Sequence, residues 1–198
     1  MSIKLGAAAD NWTAKVVNPD GQSSSATGFA VLAPVSQAPT ERLSNGSFTS
    51  GQSPWISTGN FWVGNLANYR SSPGYAAGGV DTSGSPINSA NGSLYQTVTI
   101  PSNSTSANLS FWFNITSQET SGAYDYLKMK VQNSSGVDLS TDLVVLSNQD
   151  KSTGYSQRSV DLTSYRGQTI RIYFSATSDS SNYTIFRIDD VSLMADGN

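Results

Sequence analysis

The segment Asn108-Leu-Ser-Phe-Trp-Phe-Asn-Ile-Thr116 decides the fold class, because apolar side chains occupy every second position along it. One parity holds the apolar residues Leu109, Phe111, Phe113 and Ile115, and the other holds Ser110, Trp112 and Asn114. A period of two is that of a half-buried β-strand whose apolar side chains face a core. The same parity predicts that Trp112 and Asn114 point away from the core.

This alternation recurs along the rest of the chain. Further strands are predicted at Leu94–Ile100, Leu127–Val131, Asp142–Ser147, Gln157–Leu162, Ile170–Ala176 and Thr184–Met194. Clusters of Pro, Gly, Asn and Ser separate them, and no amphipathic helix longer than a turn is visible. Many short strands with polar connections predict an all-β protein, an antiparallel β-sandwich of the jelly-roll type.

The composition narrows the function classes. Of the 198 residues 13% are charged and the net charge is −3, which argues against nucleic acid and anionic membranes as partners. No stretch of 18 apolar residues is present that would span a membrane.

Catalysis is poorly supported by the residue inventory. The chain has no His and no Cys, which excludes histidine acid–base chemistry, thiolate nucleophiles and disulfides. Glu41 and Glu119 are the only glutamates, whereas glycoside hydrolysis usually needs two closely placed carboxylates. The sequence therefore predicts a binding protein and no enzyme.

The chain is expected to divide into three parts. Residues 1–33 predict a β-hairpin, with a first strand from Trp12, a turn at Asn18-Pro-Asp-Gly21 and a second strand at Gly28–Leu32. Residues 34–42 read as a linker and residues 43–194 as the sandwich.

The hairpin carries a first resemblance. Trp12-Thr-Ala-Lys-Val-Val-Asn-Pro-Asp-Gly21 resembles the closing hairpin of an immunoglobulin-like IPT/TIG domain. The resemblance implies that the chain begins inside a preceding domain of a larger parent protein. No signal peptide is visible at Met1, so a secreted or extracellular location would depend on a leader elsewhere in that parent.

The body carries a second resemblance. Leu43-Ser-Asn-Gly-Ser-Phe48 with Trp55, and Phe186-Arg-Ile-Asp-Asp-Val-Ser-Leu193, resemble the opening and closing of galactose-binding-like jelly rolls, the carbohydrate-binding modules of families 4, 9 and 22. Tyr124-Asp-Tyr126 and Val160-Asp-Leu162 are similar to MAM-like jelly rolls of bacterial secreted hydrolases. The resemblance implies a non-catalytic module that binds a plant or microbial β-glycan, such as β-glucan, xyloglucan or xylan, for a larger secreted enzyme.

Exposed aromatic rings are the candidate ligand contacts, because sugar rings present apolar C–H faces to them. Trp62 and Tyr69 are placed in a loop by the Gly- and Asn-rich stretch 59–79, whereas Trp55 is expected in the core. The predicted carbohydrate-binding residues are Trp112, Trp62, Tyr126, Tyr173, Asn114, Arg171, Tyr69 and Tyr155. The sequence does not say which of them share one outer face of the sandwich.

A structural Ca²⁺ is implied by the resemblance, with Ser47, Thr49, Asp189 and Asp190 as ligands. Thr49 stands where the family has an acidic residue, so the site lacks one negatively charged carboxylate ligand. The pair Asp189-Asp190 also interrupts the apolar parity of its strand, which predicts a β-bulge. Turn capping or pairing with Arg is the alternative role for these carboxylates.

Two other functions stay open. A structural or adhesion domain, MAM-like and without affinity for glycans, is the first. A jelly-roll polysaccharide lyase, with Tyr as the base and Arg or Lys as its partner, is the second, although the missing His and scarce Glu disfavour it.

Overall fold

The computed structural model describes residues 10–31 and 37–198. The chain divides into a first compact unit that ends at Gln37 and a second from Ala38 to Asn198. Among the described residues, the helical segments are single 3-10 turns, and none could cross a membrane.

The described part of the first unit is a β-hairpin. Strands β1 (Asp10–Ala14) and β2 (Thr27–Val31) pair antiparallel, with Trp12 opposite Phe29. The predicted turn is present, since the Gly21 N–H donates to the Asn18 carbonyl over 2.9 Å. Residues 1–9 and 32–33 of the predicted hairpin lie outside the described residues, and the resemblance to an IPT/TIG domain stays a prediction.

The second unit is an antiparallel β-sandwich, as predicted. One sheet has five strands in the order β10-β9-β12-β7-β4, and the other has the order β11-β8-β13-β6-β5, with β3 paired to β13. The strands are β3 (Thr40–Glu41), β4 (Ile56–Gly59), β5 (Phe61–Gly64), β6 (Tyr75–Gly78), β7 (Asn91–Thr99), β8 (Ala107–Ser117), β9 (Tyr126–Asn133), β10 (Val144–Ser147), β11 (Ser156–Asp161), β12 (Thr169–Thr177) and β13 (Thr184–Ala195).

The core lies between the inner faces of the two sheets. Phe111 of β8 packs edge-on against Phe174 of β12, with ring centroids 5.0 Å apart. Trp55 is buried and touches this cluster through Phe48 and Phe174, which confirms its predicted core position. The alternating residues of β8, Leu109 to Ile115, are all buried, so the parity predicted for this strand is confirmed.

The outer faces of the two sheets differ. Along β12, buried residues alternate with half-buried ones, as expected for a sheet with one face in solvent. Strand β6 is buried at all four positions, and β13 is buried on both faces from Thr184 to Asp189. The outer side of the six-stranded sheet is therefore covered at β6 and the first half of β13, whereas solvent reaches the outer face of the five-stranded sheet along β12.

Two boundaries differ from the sequence expectation. Residues 40–42 belong to the sandwich, because β3 pairs with β13 and the Glu41 carboxylate accepts the Leu193 N–H over 2.9 Å. Strand β13 also runs one residue further, to Ala195. The predicted bulge is present, since the register against β8 shifts between Asp189 and Ser192.

Candidate functional site

A row of side chains crosses the open face of the five-stranded sheet. Strand register places Ile56 of β4 opposite Tyr95 of β7, Tyr95 opposite Tyr173 of β12, and Tyr173 opposite Lys130 of β9. Directly opposed residues point to the same face of a sheet. These four side chains therefore form a continuous strip across four strands.

The centre of the strip is a stacked ring pair. The Tyr95 and Tyr173 rings lie 6.3 Å apart between centroids with an interplanar angle of 24°. Arg171 places its guanidinium carbon 4.4 Å from the Tyr95 centroid, and the Lys130 ammonium lies 5.6 Å from that of Tyr173. Cations in these positions are attracted to the ring faces, which helps to hold the rings in place.

Tyr126 lies near one end of the same face. It starts β9, its hydroxyl donates to the Ala123 carbonyl over 2.7 Å, and the Lys128 ammonium is 5.9 Å from its ring centroid. Three of the predicted ligand residues, Tyr126, Arg171 and Tyr173, thus share one surface.

Two loop carboxylates pair with the lysines of this face. Lys130 donates to Asp138 over 2.7 Å, and Lys128 lies 3.0 Å from Asp142. The hydrogen bond with Asp138 raises the pKa of Lys130, and the same bond lowers the pKa of Asp138. Both groups are charged at neutral pH as a consequence.

Trp112 lies on the opposite outer face, that of the six-stranded sheet. The predicted outward parity is confirmed, but Arg70 lies over the ring, with its guanidinium carbon 3.8 Å from the centroid. Arg70 also forms an ion pair with Asp190. One face of the indole is therefore already occupied by the loop of residues 65–74, which joins β5 to β6.

Asp189 fixes the same loop through backbone donors. Its Oδ2 accepts the N–H groups of Arg70 and Ser71 over 2.8 and 2.9 Å, and its Oδ1 accepts that of Asp190 over 2.8 Å. Burial raises the pKa of Asp189, although these backbone bonds oppose the shift. Ser71 completes the attachment by donating its hydroxyl to Asp190 over 2.6 Å.

Asn114 and Tyr155 also hold loops on this side. Asn114 is buried, and its amide donates to the Ser152 and Gly154 carbonyls, each over 3.1 Å. Tyr155 donates its hydroxyl to the Asn68 carbonyl over 2.7 Å, and burial raises its pKa.

Trp62 and Tyr69 complete the predicted aromatic set. The loop position predicted for Trp62 is wrong, because the residue lies on β5 and its ring packs edge-on against Tyr75 at 5.6 Å. A Cβ at Gly64 would lie 1.9 Å from the indole, so Trp62 covers its own strand end. Tyr69 is exposed in the 65–74 loop, as predicted.

The residues predicted to bind Ca²⁺ do not form a site that suits a cation. Ser47 and Thr49 lie together, with hydroxyl oxygens 3.5 Å apart, but the Asp189 carboxylate faces three N–H donors, which oppose a positive ion at those oxygens. Within residues 10–31 and 37–198, no three acidic side chains group as a metal site. Asp189 fits a cation poorly as it stands, and the calcium site stays a prediction.

The predicted ligand residues therefore belong to two surfaces that cannot act as one site. Tyr95 was missed by sequence reasoning, although its parity within Leu94–Ile100 already points it away from Leu94 and Val98. The sequence does not reveal the strand register, which places Tyr95 beside Tyr173 although the two residues are 78 positions apart in the chain.

Comparisons with known proteins agree with this fold. No protein-family model matches the chain, and no curated protein sequence is significantly similar to it. Among solved structures, the carbohydrate-binding module TmCBM61, in complex with β-1,4-galactotriose, has a TM-score of 0.56 at 18% identity over 78% of this chain and 97% of that chain.

Two further structures are similar over the same region. The K3 cleaved adhesin domain of Lys-gingipain from Porphyromonas gingivalis w83 has a TM-score of 0.53 at 14% identity, covering 79% of this chain and 98% of that one. The arabinose-bound α-L-arabinofuranosidase MgGH51 has a TM-score of 0.54 at 14% identity, covering 80% of this chain and 27% of that one. At such identities the similarity establishes the β-sandwich jelly-roll fold.

Proposed function

We propose that this chain is a non-catalytic module that binds a polysaccharide on the open face of its five-stranded sheet. The observation that carries the proposal is the Tyr95–Tyr173 ring pair, half-buried and flanked by cations on a face that solvent reaches. Stacked, pre-ordered aromatic rings give a sugar an apolar surface at small entropic cost.

The dimensions of the strip favour an extended glycan. Neighbouring strands lie about 4.8 Å apart, so the strip from Ile56 to Lys130 spans about 14 Å. Hydroxyl groups of the ligand would meet the hydroxyl side chains of Thr97 and Ser175, which lie in the rows on either side of the ring pair. A β-linked glycan such as β-glucan, xyloglucan or xylan, which runs as an extended chain, suits such a strip.

The residue inventory supports binding without catalysis. Glu41 accepts three backbone N–H groups at one oxygen and is fixed at β3, while Glu119 is buried away from the strip. A parent protein that is a secreted bacterial enzyme, with neighbouring domains as partners, fits the likeness to part of an arabinofuranosidase and to a module solved with a β-linked trisaccharide.

The test is binding by Tyr173→Ala and Tyr95→Ala, measured by calorimetry or affinity electrophoresis against β-glucan, xylan, xyloglucan and β-1,4-galactan. We expect each variant to lose about tenfold in affinity with little change in melting temperature, because removal of an aromatic anchor costs about 1–2 kcal/mol. Tyr69→Ala is the matched control, since Tyr69 is an exposed tyrosine in the loop on the other side of the sandwich.

A structural or adhesion domain is the second candidate. The likeness to an adhesin domain of Lys-gingipain favours it, together with the exposed Ile56 and Val145 at the edges of the open face. This candidate predicts that the folded wild-type protein binds no polysaccharide, neutral or acidic, which is the result that would contradict the first proposal.

A further inference from the structure

The charged side chains on the strands of the five-stranded sheet are all cationic, although the chain as a whole is acidic. Its strands contain Lys128, Lys130 and Arg171 but no Asp or Glu, while the whole chain has a net charge of −3. All three cations point to the open face, in register with the ring pair or the rows beside it. A surface of one sign raises the local concentration of ligands of the opposite sign.

Arg171 is the cation of this face whose charge is not compensated. Within the described ranges, the ion pairs of the sandwich include Lys128 and Lys130 but give Arg171 no carboxylate. Its Nη2 donates to the Ser134 carbonyl over 2.6 Å, and its Nε is buried without a hydrogen-bond partner. A guanidinium held in place by Tyr95 and Ser134 is pre-ordered to receive an anion.

The two lysine pairs do not neutralise the face for a ligand. Asp138 is half exposed, and its side chain and that of Lys130 form a surface ion pair, a class usually worth at most about 1 kcal/mol. A ligand anion can therefore compete for Lys130, or for Lys128 beside Asp142, at small cost.

The position of Arg171 sets where the anion would be. Arg171 lies two residues from Tyr173 on β12, so its Cα is about 7 Å along the strand from the ring row. Its guanidinium reaches back to 4.4 Å from the Tyr95 centroid. A sugar on the part of the Tyr95–Tyr173 pair that solvent reaches thus lies next to Arg171, where an exocyclic carboxylate can reach the guanidinium.

We infer that the glycan this face selects is acidic, with a uronic acid carboxylate received by Arg171 beside the Tyr95–Tyr173 pair. The inference rests on the proposed function and narrows it to a ligand class. Arginine suits this role because its fork of N–H donors matches a carboxylate, and charge-assisted hydrogen bonds are stronger than those to neutral hydroxyl groups.

The test uses glucuronoxylan and the same polymer after chemical reduction of its carboxyl groups to alcohols. The two polymers share backbone and length and differ only in charge. Wild-type protein should bind the acidic form about tenfold more tightly at low salt, and the difference should shrink as salt is added. Arg171→Gln should abolish that preference while binding of the reduced polymer is retained.

Two further variants keep the outcome clear. Arg158→Gln removes an exposed arginine of β11 in the other sheet and should leave the preference intact. Arg171→Lys keeps the positive charge but lacks the forked N–H donors, so it should retain part of the preference for the acidic polymer. This variant provides an independent result if Arg171→Gln does not fold.

Equal affinity of the wild type for the two polymers at low salt, or a preference that survives Arg171→Gln, would overturn the acidic-ligand inference alone. Absence of binding to both polymers and to the four glycans above would overturn the proposed function and the inference with it.

Discussion

The guanidinium carbon of Arg70 lies 3.8 Å from the centroid of the Trp112 ring, and the same guanidinium pairs with Asp190. Trp112 is thereby held between its own sheet and the 65–74 loop. The indole fixes a loop on the outer side of the six-stranded sheet, while the half-buried Tyr95 and Tyr173 rings lie on the outer face of the other sheet.

We expect Trp112→Ala to destabilise the protein and to leave glycan binding unchanged. The truncation removes the ring that Arg70 contacts, so the 65–74 loop is attached less firmly. The free energy of unfolding should decrease by about 1–2 kcal/mol. Thermal melts should show a decrease of a few degrees, with Trp112→Phe close to wild type. A large loss of glycan affinity with an unchanged melt would instead place the ligand on the covered side.

We expect Asp189→Asn to lower the melting temperature by an amount that does not depend on calcium. Asn offers one acceptor oxygen where Asp189 offers two, and its N–H groups would face backbone donors. We expect this mismatch to lower the free energy of unfolding by about 1–3 kcal/mol. Melts in EDTA and in excess Ca²⁺ provide the measurement. A wild-type melt that EDTA lowers, with the sensitivity lost in Asp189→Ala, would instead establish the predicted calcium site.

We expect deletion of residues 1–37 to change the stability of the sandwich by less than about 1 kcal/mol, or a few degrees in melting temperature. The main core cluster lies between Leu43 and Ala195, within the second unit. A deletion extended to residue 42 should cost several times more, because it removes the Glu41 carboxylate and the Arg42 guanidinium, which donates to the Ala195 carbonyl over 3.0 Å. Equal effects of the two deletions would contradict this boundary.

We expect the stability of the protein to fall as pH decreases below the ordinary aspartate value of 3.8. The Thr105 hydroxyl and the Ser106 N–H lower the pKa of Asp196, so the stability it contributes is present above 3.8 and is lost as pH falls through the lower folded pKa. Asp189 has a raised pKa, so its contribution changes in the opposite direction and in a different window, between its folded pKa and 3.8, above the range of the Asp196 loss. Melts at successive pH values should show a smaller acid effect in Asp196→Asn, and an unchanged effect would exclude Asp196 as a source.

A period of two made several strands predictable, and a strand in which nothing alternates was missed. Strands β8 and β12 show a clear period of two because solvent reaches one side of each more than the other. Strand β6 reads Tyr-Ala-Ala-Gly and is buried throughout, so nothing alternates, and the loop that covers it hides it from any pattern.

The candidate site could be predicted only in part. Parity along one strand tells which side chains leave the core, and it placed Tyr126, Arg171 and Tyr173 correctly outside it. Parity does not tell which strands are neighbours, since pairing joins segments far apart in the chain. The sequence therefore left open whether Trp112 and Tyr173 share a face, and strand pairing puts them on different sheets.

Under the proposed function, the unequal covering of the two sheets separates the residues that bind the ligand from the residues that hold the fold together. Substitutions on the open face touch few core atoms, and such surface changes usually alter stability by no more than about 0.5 kcal/mol. If the proposed function holds, the ligand preference of related chains can change through Tyr95, Thr97, Arg171 and Tyr173 at nearly constant melting temperature. On the other side, where β13 is enclosed by loops, each inherited change must be matched by its neighbours, and that surface is expected to evolve slowly.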